Sequence, residues 1–178
     1  MKIETATIQR LRDALLQSGR RPSTVLSPAY ETLARQGFLT QEEGLALERI
    51  DPLAETMYLM MAADGTLSTA EKDAIRGAIR GLSGNVLRSG TIEHMMSNYA
   101  SKLKSEGREV RLEEIAERLS EVPAEAETAF SLAAAVALAD DAVAEEENAF
   151  INQLATWFGI SKERADSILD ELLDERAE

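Results

Sequence analysis

The stretch AADGTLSTAE, residues 62–71, decides the fold. It reads as the end of one helix, a tight break at Asp64-Gly65, and the start of the next helix at Ser68. Ser68-x-x-Glu71 has the form of a capping box, in which a serine hydroxyl and a glutamate carboxylate each satisfy a free backbone N–H of the first turn. A degenerate copy, LADDAVAEEE, lies 76 positions downstream at residues 138–147. The offset lays Asp64 on Asp140, Leu67 on Val143, Glu71 on Glu147 and Ile75 on Ile151. Two copies at a fixed offset predict an internally duplicated helical domain rather than a solenoid, which needs about three or more repeats.

Outward from the first break, the apolar spacing is helical nearly everywhere. Ile8, Leu11 and Leu15 predict a helix over residues 3–18, followed by a solvated loop at 19–24. Ser27-Pro28 opens a short helix to Arg35, and Gly37 stops it. Thr40-x-x-Glu43 is a capping box for a third short helix ending near Arg49. Asp51-Pro52 then opens a separate helix to Asp64, with Leu53, Met57, Met60 and Met61 inward. Methionines on a helix can line an adaptable groove; on one continuous apolar face they read as core.

Downstream of the break, Ile75, Ala78, Ile79 and Leu82 form the buried stripe of a helix over 69–82. Helices over about 91–105 and 109–120 follow. Pro123 starts an alanine-rich helix to Asp140, whose small side chains let neighbours approach on several sides. A helix to Phe158 carries Phe150, Ile151, Leu154, Trp157 and Phe158, and Gly159 closes it. Ser161 caps the last helix, with Ile168, Leu169, Leu172 and Leu173 inward and the DELLDERAE end solvated. No segment alternates apolar and polar residues long enough for a sheet. The fold class is all-α, an internally duplicated helical bundle of about eight to ten helices. Residues 1–50 read as a helical extension packed on the same domain. Residues 51–178 hold the two hairpin repeats, 52–82 and 128–158.

Charge narrows the partners. With 32 acidic against 19 basic residues the net charge is −13, which repels phosphate backbones and excludes nucleic acid as the expected partner. Cations and proteins with basic patches fit better; the oligomeric state is open. No cysteine is present, so thiolate catalysis and disulfides are unavailable. No apolar run approaches the ~20 residues needed to span a bilayer, and no secretory signal is visible, so direct membrane insertion is not expected. Glycine-rich phosphate loops, G-x-S-x-G and H-E-x-x-H are absent, so no enzyme is expected. His94 stands alone, without the convergent partners a catalytic or metal site needs.

The candidate site is the set of acids at the two breaks: Asp64, Glu71, Asp140, Asp141 and Glu147, with Glu145 and Glu146 beside them. Hard cations such as calcium or magnesium take several oxygen ligands, and a cation would relieve the mutual repulsion of clustered carboxylates. The bland reading is helix-end structure. Glu71 already completes the Ser68 capping box, whereas Glu147 has Ala144 at the matching cap position. Asp64 and Asp140 sit near helix C-termini, where the macrodipole disfavours anions. The spacing is not that of an EF-hand loop.

The segments MYLMMAADGTLSTAEKDAI (57–75) and AFSLAAAVALADDAVAEEENAFINQLATWFGIS (129–161) resemble the TerB-like, tellurite-resistance family, also related to the N-terminal region of membrane-anchored DnaJ-like cochaperones. The resemblance spans residues 52–172. It implies a cytoplasmic bacterial domain acting in stress or tellurite resistance, through divalent-metal binding or through protein contacts. By position, the family's acids fall on Asp64, Glu71, Asp140 and Glu147. The second copy departs from the pattern, with Asp141 for the glycine and Ala144 for the serine.

Overall fold

Two long helices packed against each other form the middle of the molecule, and the two breaks follow their C-terminal ends. The computed structural model describes residues 3–17, 28–139 and 145–177. The expected loop at 19–24, the cap at Ser27 and the second break at 140–144 lie outside the described residues. The described residues form α1 (Thr5–Gln17), α2 (Pro28–Arg35), α3 (Gln41–Met61), α4 (Thr69–Leu82), α5 (Ser89–Glu106), α6 (Arg108–Leu119), α7 (Pro123–Ala137), α8 (Glu145–Trp157) and α9 (Lys162–Ala177). A single 3-10 turn, Ala62–Asp64, continues α3. There is no strand among the described residues, and no described helix is long and apolar enough to cross a membrane.

Helix α7 is the expected hub. It touches α1, α3, α6, α8 and α9, with its closest association to α3. Ala129, Phe130, Leu132, Ala133, Ala134, Val136 and Ala137 are wholly buried, which only small side chains on most faces permit. Helix α1 lies across α4 and α7, burying Ile8, Leu11 and Leu15. A Cβ at Gly81 would sit 2.6 Å from the Ile8 Cγ2, so the crossing of α1 over α4 depends on glycine there.

The structure corrects two readings of the sequence. The helix expected to end near Arg49 and its successor at Asp51 are one, and Pro52 lies inside α3. Proline in a helix interior costs about 3 kcal/mol. Residues 50–62 are buried without interruption, so ending the helix at Pro52 would leave core backbone without partners. Trp157 and Leu173, expected inward, are 37% and 47% exposed. The end of α9 is mostly exposed, as expected, and Glu175 ties it to α1: the Thr7 hydroxyl donates to the Glu175 carboxylate at 2.9 Å, and the Arg10 guanidinium pairs with it at 2.6 Å.

Candidate functional site

The first break is built as the sequence predicts. Gly65 takes the left-handed conformation, φ 101°, where an L side chain is strained, and donates its N–H to the Ala62 carbonyl at 3.1 Å. The Ser68 N–H donates to the Glu71 carboxylate at 2.6 Å, and the Glu71 N–H to the Ser68 hydroxyl at 3.2 Å. Glu71 is therefore occupied in starting α4. Asp64 is the last residue of the 3-10 turn; its side chain lies outside the described residues.

An arginine closes the outgoing end of each hairpin. Arg108, the first residue of α6, donates to the carbonyls of Ala62 and Ala63 at 3.1 and 3.3 Å. Its guanidinium lies over the Phe150 ring, 5.1 Å from the centroid. Arg176 of α9 donates to the Leu138 carbonyl just after α7. Free carbonyls at a helix C-terminus carry partial negative charge, and a cation there is stabilising. Leu138 is the 76-residue counterpart of Ala62, so the two hairpins are closed in the same manner. Neither arginine belongs to a hairpin, which is why the repeat itself did not reveal them.

Of the five candidate acids, only Glu71 and Glu147 have described side chains; Asp140 and Asp141 lie outside the described residues. Glu145 and Glu146 are exposed in the first turn of α8. Glu147 is half-buried and already has an interaction partner. Among the described residues no group of three or more acids or histidines is arranged to hold a metal ion. His94 is exposed on α5. The 3-10 turn of the first break packs directly on α8, the helix that follows the second break in the sequence.

A second polar assembly, unforeseen in the sequence, runs along α3. Glu43, Asp51 and Glu55 lie on one row of four-residue steps, each buried. The Arg88 guanidinium meets Glu43 through Nε and a terminal nitrogen at 2.6 and 2.8 Å, and those bonds hold the Glu43 carboxyl below the usual range. Asp51 accepts from the Tyr99 hydroxyl at 2.7 Å and from Arg118 at 2.8 Å. Burial first, and then the Asp51 charge, push the Tyr99 hydroxyl well above its ordinary value, so it stays a donor. Glu55 accepts from Arg111 at 2.7 and 3.1 Å, and Arg111 also reaches Glu106 and Glu114. The donors come from the segment before α5 (Arg88), from α5 (Tyr99) and from α6 (Arg111 and Arg118). The row is a set of bolts fixing α3 to the α5–α6 hairpin. The signal for it was available: Asp51 and Glu55 interrupt an otherwise apolar run.

A family model described as tellurite resistance protein TerB matches residues 51–170, from within α3 to within α9. The chain belongs to the TerB family. The match covers both breaks, the whole of α7 and the second half of α3, and leaves α1 and α2 outside it. No curated protein and no solved structure matches the chain. Family membership extends to the all-helical bundle, and the five acids fall inside the matched segment.

Proposed function

We propose that the chain is a non-catalytic TerB module of cytoplasmic stress or tellurite resistance that responds to a divalent cation, calcium or magnesium, at its second break. The observation that carries this reading is the packing of the first break's 3-10 turn on α8, whose first turn holds Glu145, Glu146 and Glu147. That contact sets the first break, which ends at Asp64-Gly65, against the helix that Asp140 and Asp141 precede in the sequence. Glu71 is held by Ser68 and Glu147 has a partner of its own, so the weight falls on Asp140 and Asp141, with Glu147 beside them in the next turn. Six-coordinate or higher oxygen sites suit such a donor set. The test is a melting curve and calorimetric titration in calcium and in magnesium, against sodium chloride of equal ionic strength. A rise in melting temperature beyond the sodium control, lost in the Asp140→Asn/Glu147→Gln double variant, is the expected result. No heat and no shift at roughly millimolar cation, the range of weak extracellular-type calcium sites, would exclude it.

The alternative is a metal-independent interaction module. The commitment of Glu71 to its cap and the closure of both hairpins by arginine favour it, since each makes the break structurally self-sufficient. It expects a protein partner or self-association that is indifferent to chelator. Affinity capture and sedimentation, each with and without chelator, separate the two readings.

A further inference from the structure

A concave pocket of about 710 Å³ opens beside the first break, between that break, α4, α5, α6 and α8. Its charged lining is Lys72, Lys104, Arg108 and Glu109, three cations and one carboxylate, hence a local charge of +2 in a chain of net −13. Leu67, Leu103 and Tyr58 supply an apolar wall. Lys72 and Lys104 are exposed at their tips and form no ion pair among the described residues, whereas most arginines of the bundle are paired with carboxylates. Arg108 is held in place by the two carbonyls and by Phe150, yet its Nε is buried without a hydrogen-bond partner. Helix α6 starts at that arginine with no capping side chain, so its first N–H groups add positive partial charge at the pocket's edge.

We propose that this pocket binds a small organic anion, a phosphate or carboxylate group carried on a compact apolar body. Arg108 and the α6 N-terminus hold the anionic group, Lys72 and Lys104 close over it from α4 and α5, and the body lies against Leu67, Leu103 and Tyr58. The volume falls within the range of about 300–1,000 Å³ typical of small-molecule sites. An inorganic anion alone would leave the apolar wall unused. The pocket adjoins the first break through Ala62 and Gly65, but it reaches α8 at Gln153, and the α8 acids at 145–147 begin eight residues earlier, roughly 12 Å along the helix at 1.5 Å per residue.

The experiment is a backbone amide NMR titration with three probes: phenyl phosphate, phenylacetate and inorganic phosphate. The expected result is saturable shifts at Gly65, Leu67, Lys104, Arg108 and Glu109 with phenyl phosphate or phenylacetate, weaker with inorganic phosphate. The ratio of the first two decides between phosphate and carboxylate. The Lys72→Gln/Lys104→Gln variant alters exposed side chains only, so its spectrum should keep its dispersion, and it should bind about tenfold more weakly, as expected for removing two nearby charges. Shifts that do not saturate with any probe, or that persist unchanged in the lysine variant, would overturn the site. Calcium or magnesium has no part in this titration, so its outcome is independent of the cation test.

Discussion

Arg111 is the most heavily engaged side chain at the residue scale. Its guanidinium and the Glu55 carboxylate are 3% and 1% exposed, so both charges have left water. A buried pair broken by removing one partner costs about 3–5 kcal/mol, because the other charge is stranded. The two halves are not equivalent here. Arg111 retains Glu106 and Glu114 when Glu55 is neutralised, whereas Glu55 has no other cation within ion-pair distance among the described residues. Arg111→Met should therefore lose about 3–5 kcal/mol in urea unfolding. Glu55→Gln should lose clearly less. The double variant Glu55→Leu/Arg111→Met should recover most of the loss, since an apolar pair often replaces a buried ion pair at little cost. Equal losses in the two single variants would show that Glu106 and Glu114 do not support the guanidinium. Ion pairs of this kind were hidden in the sequence because their partners lie 45–67 positions apart. Local patterning carries no information at that range, while the capping boxes at Thr40 and Ser68 span three residues and were legible.

Elements show the same division. Helix α4 and its buried stripe were legible because capping box, periodicity and stop signal all agree over 14 residues. Helix α3 was misread because a local breaker, Pro52, is overruled by tertiary burial. The magnitudes explain why the proline is tolerated. Replacing it by alanine regains about 3 kcal/mol of helix propensity. It also removes two buried methylenes, about 0.8 kcal/mol each, and the stiffness proline gives the unfolded chain, about 0.4–1 kcal/mol. Pro52→Ala should thus lie within about 1 kcal/mol of the parent in urea unfolding, the remainder of those terms. A gain well beyond that would mean that the proline distorts α3 for some purpose other than packing. The second break remains the element where sequence alone speaks: Asp140 and Asp141 lie outside the described residues, and their role rests on the cation titration.

The whole molecule carries −13 charges, and compaction brings them together. The exposed acids Glu145 and Glu146 lie in a stretch with no lysine or arginine between Arg118 and Lys162. Salt should therefore stabilise the fold. Raising sodium chloride from about 10 to about 150 mM shortens the Debye length from roughly 30 to roughly 8 Å and should raise the melting temperature. A melting temperature that falls would show that surface pairs such as Arg164–Glu127 and Arg76–Glu93 outweigh the repulsion. The architecture itself was legible at this scale, down to α7 as its centre, because an alanine-rich helix has few other places to go. The basic pocket was not, since Lys72, Lys104 and Arg108 come from three helices whose approach no periodicity reveals.

Glu175 fastens Thr7 and Arg10 across 168 and 165 positions. A ribosome makes α1 well before that glutamate, so the order of synthesis is not the order of completion. Until α9 emerges, the nascent chain can bury Ile8, Leu11 and Leu15 against α4 and α7, but the link from α1 to α9 must wait for the last turn of α9.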